Sequence, residues 1–265
     1  MQRPGKRVGI GFTSIDHAAA NGCDSCTLIA TGSFDDALTA TARKEIRMKV
    51  FIIGIGGGVG RRVAQHLMDL GHQVDGFVRN PKKGADLAKS GISSTVGDIV
   101  KMSVSEIASA LSGSDAIVFS AGAGGRDSAE ATKQVDGDGP LKLVAAAKEA
   151  KVERFVLVSV FPEAWRERQM PKDFELYMAE KKKAECKLVL TDRDWVIIRP
   201  SALINETGQG EVDLGLAKIH VQIARDDVAS TIVEVLGQPS ISRVILEVTA
   251  GTTPIADAVA AMLPK

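Results

Sequence analysis

From residue 48 onward, short apolar runs rich in β-branched residues alternate with stretches whose apolar positions recur at helical spacing. The run Val50, Phe51, Ile52, Ile53 is bounded by glycine and suits a buried parallel strand. The stretch 61–70 then places Val63, Leu67 and Leu70 on one helical face. The same alternation predicts strands at 73–78, 92–96, 115–120, 154–159, 195–199 and 244–248, and helices at 82–89, 104–111, 129–150, 174–190 and 255–263. Strand–helix alternation of this kind predicts an α/β fold, a Rossmann-type doubly wound parallel sheet in three αβα layers, with ligands at the carboxyl ends of the strands.

The first of those ends carries Gly54, Gly57 and Gly60, spaced G-x-x-G-x-x-G, with Gly56 and Gly58 making a looser run around Val59. Gly54 permits a sharp turn off the strand, Gly57 lets backbone N–H groups approach a pyrophosphate, and Gly60 lets the helix pack on the sheet. The positive end of the helix then faces the phosphates. A bare glycine turn is a weak motif, and its place between strand and helix is what gives it weight. The plain alternative is a tight turn with no ligand.

The second strand ends Arg79-Asn80-Pro81-Lys82-Lys83, with no carboxylate where an NAD site places one for the ribose 2′-hydroxyl. A guanidinium there suits a 2′-phosphate, so NADP is expected, with NAD as the alternative; the competing reading is a solvated basic turn. Asp98 and Ile99 follow the third strand, where a carboxylate reaches an adenine amino group or caps the next helix. After the fourth strand Ser120, Ala121 and Gly122 open a small-residue run through Gly125, where ribose and pyrophosphate pass.

Composition narrows the class. The chain has 265 residues, enough for one α/β domain, and 33 basic against 33 acidic side chains, so no global field calls for nucleic acid or an anionic membrane. Aromatics make up 4%, and no apolar stretch reaches the roughly 18 residues of a membrane span. Three cysteines point to a reducing, cytoplasmic compartment rather than a disulfide framework. Residues 1–47 show no sustained period and are expected to be an extension outside the domain 48–265, disordered or translated from an upstream start. Their acidic residues Asp16, Asp24, Asp35 and Asp36 disfavour a mitochondrial leader. Cys23-Asp24-Ser25-Cys26 has no second pair to make a zinc site, Cys186 is expected in the core, and the scattered histidines imply no metal.

The candidate chemistry lies at the fifth strand and after it. Ser159 ends that strand, and Tyr177 and Lys181, at i and i+4 of the next helix, share a face. An ammonium beside the phenol is expected to lower its pKa toward working pH, making it an acid/base, while Ser159 holds a substrate oxygen. Lys181 also begins a three-lysine run, which reads equally as a solvated helix face.

The glycine turn, Val78-Arg79-Asn80-Pro81, Gly97-Asp98, Val135-Asp136-Gly137-Asp138-Gly139, 154–159, Tyr177-x-x-x-Lys181 and Ile198-Arg199-Pro200 together resemble the atypical short-chain dehydrogenase/reductases, in their NAD(P)H-binding, NmrA-like and epimerase-like group. The resemblance covers about residues 48–263. It implies an NAD(P)-binding oxidoreductase or epimerase acting on a small carbonyl, quinone or flavin-type molecule, or a catalytically silent NADP sensor that binds a protein partner. It aligns Tyr177 and Lys181 with the family's Tyr and Lys and sets the loop from Pro200 beside the nicotinamide. The chain departs from the pattern at Val160, at Gly56 and in lacking a clear Asn at the family's fourth catalytic position. Gly208, Gly210 and Gly215 suggest a mobile flap or a plain surface loop, and 225–229 resembles the family's helix start, a cap without catalytic duty.

Overall fold

Strand β1 (Lys49–Ile53) is the centre of the architecture, because its two faces feed two separate cores. The computed structural model describes residues 47–123, 128–161, 165 and 168–264. Successive side chains of a strand point to opposite faces. Val50 and Ile52 accordingly join one buried cluster with Val63, Leu67 and Ile232, whereas Phe51 and Ile53 join the other with Ile107, Leu143 and Leu188. These clusters are the two interfaces of a three-layer sandwich.

After β1 come α1 (Gly58–Asp69), β2 (Gln73–Val78), α2 (Pro81–Ala88), β3 (Thr95–Val96), α3 (Val104–Leu111) and β4 (Ala116–Phe119). Then follow α4 (Ala129–Thr132), a π-helical turn (Lys133–Asp138), α5 (Gly139–Ala150), β5 (Arg154–Val158), α6 (Lys172–Leu188) and β6 (Asp194–Pro200). The chain closes with β7 (Ala202–Ile204), β8 (Glu211–Gly215), β9 (Gln222–Ala224), α7 (Arg225–Leu236), β10 (Val244–Ala250), β11 (Thr253–Pro254) and α8 (Ile255–Ala260). The main sheet runs β11-β8-β10-β6-β5-β4-β1-β2-β3, parallel from β10 to β3, with β8 antiparallel to β10 and β11. The expected Rossmann-type fold is therefore present. Since β1 pairs with both β2 and β4, the chain order reverses at β1, which opens a crevice at its carboxyl end.

Four expectations are corrected. The stretch 129–150 is not one helix, because residues 133–138 widen into a π turn. Pro140 lacks the N–H that a regular helix would send to the carbonyl of Asp136, and a Cβ at Gly137 would run into Glu180. The strand expected at 92–96 shrinks to Thr95–Val96. Strands β7, β8, β9 and β11 went unforeseen, although Val212 and Leu214 do alternate inward along β8. Cys186, expected in the core, is exposed on α6. Residues 1–46 of the expected extension 1–47, Cys23 and Cys26 among them, lie outside the described residues.

Candidate functional site

The glycine turn works by backbone proximity. Gly54 has φ +88, and a Cβ there would stand 2.7 Å from the backbone nitrogen of Ala121, so the β1 and β4 ends meet only across glycine. Its carbonyl accepts from the N–H of Gly57 at 2.8 Å, closing the turn. Gly60 is pressed against that carbonyl and the Ser120 hydroxyl. Gly57, by contrast, is extended at φ −84, a conformation open to any residue. The first turn of α1 carries no side-chain cap and no acidic residue, so its N–H groups face the crevice uncompensated.

Two cavities meet over this turn and share Gly57, Ser120, Ala121 and Gly122. The first, about 560 Å³, runs over Gly54 to Arg79, Asn80 and Lys83 at the end of β2 and to Asp98 and Ile99 beyond β3. Arg79 and Lys83 are its basic end. Lys83 lines it where Lys82 does not, and Asn80 turns away to cap α2, accepting from the Lys82 N–H at 2.9 Å. Asp98 lines the cavity, as the adenine reading requires, and does not cap the next helix: its Oδ1 accepts from the Val100 N–H at 3.0 Å in a turn, while Ser103 caps α3.

The second cavity, about 450 Å³, brings Gly58, Val59, Ser159, Tyr177, Lys181 and Pro200 together. Every residue expected at the site thus lines one cavity or the other except Gly60, which packs beneath the turn. Gly124 and Gly125 lie outside the described residues. The far wall is aromatic: the His220 ring meets Phe161 at 5.2 Å and Trp165 at 4.5 Å, both edge to face, and Phe174 flanks Tyr177. The hydroxyls of Ser120 and Ser159 are buried without a hydrogen-bond partner. Buried polar groups are normally satisfied, so two orphans on one cavity point to a ligand that completes them. A dinucleotide fits this lining: small residues and helix N–H groups for the pyrophosphate, cations at one end, orphan hydroxyls at the other.

The lysine run is not a uniform solvated face. Lys181 is 3% exposed and lies 3.1 Å from Asp136 Oδ1, itself fully buried in the π turn. Its ammonium also donates to the carbonyls of Val158 at 3.3 Å and Ala121 at 3.4 Å. Oδ2 of Asp136 accepts from the Ala123 N–H at 2.9 Å. Asp136 is a residue that sequence reasoning missed, although it stood inside a quoted motif: the reading noted only that a clear Asn is lacking and expected a continuous helix. The expected pKa effect is also corrected. Burial pushes the Tyr177 phenol above its ordinary value of about 10; Lys181 pulls down, but Asp136 pushes up with burial.

The loop after Pro200 is tied rather than loose. β7 pairs with β9, and Asp227 accepts from the N–H groups of Gln209 and Gly210 at 3.1 and 2.9 Å. The segment 225–229 is a helix start, as expected, forming the first turn of α7, but no side chain caps it. Its Arg225 lines the second cavity, donates to Leu203 O and Asn205 Oδ1, and lies where a Cβ at Gly58 would fall. Among the described residues no group of His, Cys, Asp or Glu side chains could hold a metal, and no helix is long and apolar enough to cross a membrane.

A protein-family model described as NAD(P)H-binding matches residues 54–239. The chain is 35% identical over 216 residues to the uncharacterized sugar epimerase YhfK of Bacillus subtilis, covering 80% of this chain and 98% of that one. Among solved structures, a protein of Bacillus halodurans provisionally described as an NAD-dependent epimerase/dehydratase superposes with a TM-score of 0.73 at 31% identity, over 81% of this chain and 99% of that one. The oxidoreductase YlbE of Lactococcus lactis does so with 0.71 at 28% identity, over 81% and 96%.

Proposed function

The chain belongs to the NAD(P)H-binding family, and from that premise we propose that it is an NADP-dependent oxidoreductase acting on a small carbonyl, quinone or flavin-type molecule. The observation that carries the reading is the meeting of the two cavities at Gly57 and 120–122, with a basic end on one side and the orphan Ser159 hydroxyl, Tyr177 and buried Lys181 on the other. A bound nicotinamide supplies or accepts a hydride. The chain's residues do the rest. Arg79 and Lys83 pair with a 2′-phosphate, and the α1 N-terminus holds the pyrophosphate. The Ser159 hydroxyl donates to the substrate oxygen, and the Tyr177 phenol shares its proton with the same atom. The aromatic wall of Phe161, Trp165 and His220 shields one face from water and suits a planar, apolar substrate body rather than a heavily hydroxylated one.

The test has two stages. Calorimetric titration with NADPH and NADH comes first, and NADPH is expected to bind more tightly. A screen of quinones, flavins and small ketones then follows the loss of reduced-nicotinamide absorbance. Tight NADPH binding with no turnover on any of them favours a nucleotide-sensing protein instead.

A further inference from the structure

The buried charge beside Tyr177 is a pair, not a lone cation, and this alters what the phenol can do. A solitary ammonium against a phenol stabilises phenolate and turns the side chain into a base. Here the ammonium of Lys181 lies 3.1 Å from Asp136 Oδ1, with the lysine 3% and the aspartate 0% exposed. It stands 5.9 Å from the centre of the Tyr177 ring. The aspartate oxygen is nearer to the cation than the centre of the phenol ring is; Oδ2 takes the Ala123 N–H, while the buried Oδ1 has the ion pair with Lys181 as its contact.

We propose that Asp136 is a positioning residue that cancels the charge of Lys181 and holds its ammonium on the Ala121 and Val158 carbonyls, so that Tyr177 keeps its proton and acts as the acid of a reductive step rather than as a base. The inference rests on the reading that Tyr177 faces the substrate oxygen. In that step the substrate carbonyl carbon accepts a hydride from the reduced nicotinamide, and the C=O π pair moves to oxygen. The oxygen takes the phenol's proton, the carbonyl becomes an alcohol as the nicotinamide is oxidised, and the phenolate regains a proton from solvent.

The surroundings agree. Burial raises the phenol's pKa, and Asp136 adds to it against the pull of Lys181. The other charged groups near the phenol do not replace this pair. Glu180, on the same helix, is engaged by Lys183 at 3.1 Å, and Lys183 also lies 3.8 Å from Asp138. Arg225 from α7 and His220 from the segment before β9 line the same cavity, and Arg225 is bonded to Leu203 and Asn205. The π turn is what puts Asp136 there, because widening the helix at 133–138 redirects a residue that a regular helix would place elsewhere on its circumference.

The chain contains one tyrosine, so labelling with ¹³Cζ-tyrosine gives a single resonance that reports phenol against phenolate without any substrate. At pH about 10, where free tyrosine is half ionised, the intact chain is expected to show a smaller phenolate fraction than free tyrosine. Asp136→Asn, which keeps the shape and the Ala123 hydrogen bond, is expected to raise that fraction several-fold. Adding Lys181→Met should return it to the starting level, because the uncancelled ammonium is then gone. An unchanged or smaller phenolate fraction in Asp136→Asn overturns the proposal, as does a fraction that stays high in the double variant.

Should Asp136→Asn fail to fold, melting temperature decides. Recovery in the double variant shows that a lone buried ammonium was the fault and supports charge cancellation. Equal damage in both variants overturns it, since the loss would then not come from the uncancelled ammonium of Lys181. Failure of the catalytic reading is separable: turnover that survives Tyr177→Phe removes the phenol from the reaction but leaves its titration untouched.

Discussion

At the scale of single residues, the proposed function divides the site into side chains that would read the cofactor and side chains that would handle a proton. Arg79 belongs to the first group: it is exposed at the lip of the first cavity, with no carboxylate at the β2 end to receive a ribose hydroxyl. Arg79→Ala is expected to weaken NADPH by about 1.5–3 kcal/mol, the range of a charge-assisted hydrogen bond, and to leave NADH nearly unchanged. Paired calorimetric titrations check this, and equal losses for the two cofactors would separate Arg79 from the 2′-phosphate. Tyr177 belongs to the second group. Tyr177→Phe removes only the hydroxyl, so NADPH affinity should persist while turnover falls by roughly 10²–10⁴-fold, read by steady-state kinetics on any substrate the screen finds.

Elements fix where those residues stand. Gly54 and Gly57 belong to the same turn, yet the structure needs them for different reasons, and a pair of substitutions separates the two. Gly54→Val asks a branched residue to hold φ +88 against the Ala121 backbone, so a large loss of melting temperature is expected. Gly57→Val meets a permitted backbone conformation and only the Gly54 carbonyl, at 3.0 Å from its Cβ. The fold should survive it, while NADPH and NADH binding are lost together because the side chain occupies the pyrophosphate's path. Farther along the sheet, buried Arg154 on β5 gathers Asp194 on β6 with the carbonyls of Val235 and Ile241, and so closes the C-terminal end of α7. Arg154→Leu strands those acceptors and should cost about 2–4 kcal/mol in urea unfolding. Cofactor affinity should stay unaffected, since this cluster lines neither cavity.

Across the whole molecule, the cofactor cleft and the sheet are one cooperative object, because the cleft is the place where β1 and β4 part. Saturation with NADPH should therefore raise the melting temperature: at 100 times Kd the linkage contributes about 2.7 kcal/mol, worth roughly 5–10 °C for a domain of this size. NADH at the same concentration should give a smaller rise. A chain begun at Met48 is expected to show the same NADPH-dependent shift, since β1 starts at Lys49 and the family match at residue 54. Differential scanning fluorimetry of the two chains with and without NADPH measures both effects.

What the sequence determined by itself was whatever depends on neighbours along the chain. Strand runs, the glycine turn, the basic lip at Arg79 and the Tyr177–Lys181 spacing are local patterns, written in period and backbone preference, and nearly every residue they singled out lines one of the two cavities, although the aromatic wall and Arg225 do so unannounced. Tertiary structure alone decided the rest, because burial and charge compensation are long-range. Lys181 pairs with a carboxylate 45 positions earlier, delivered by a π turn that no periodicity announces. Arg225 reaches the glycine turn from far along the chain, and β8 pairs with β10 and β11, which both come later in the sequence. A lysine in a helix looks the same in sequence whether water or Asp136 surrounds it, and under the proposed charge cancellation that difference sets whether Tyr177 serves as a base or an acid.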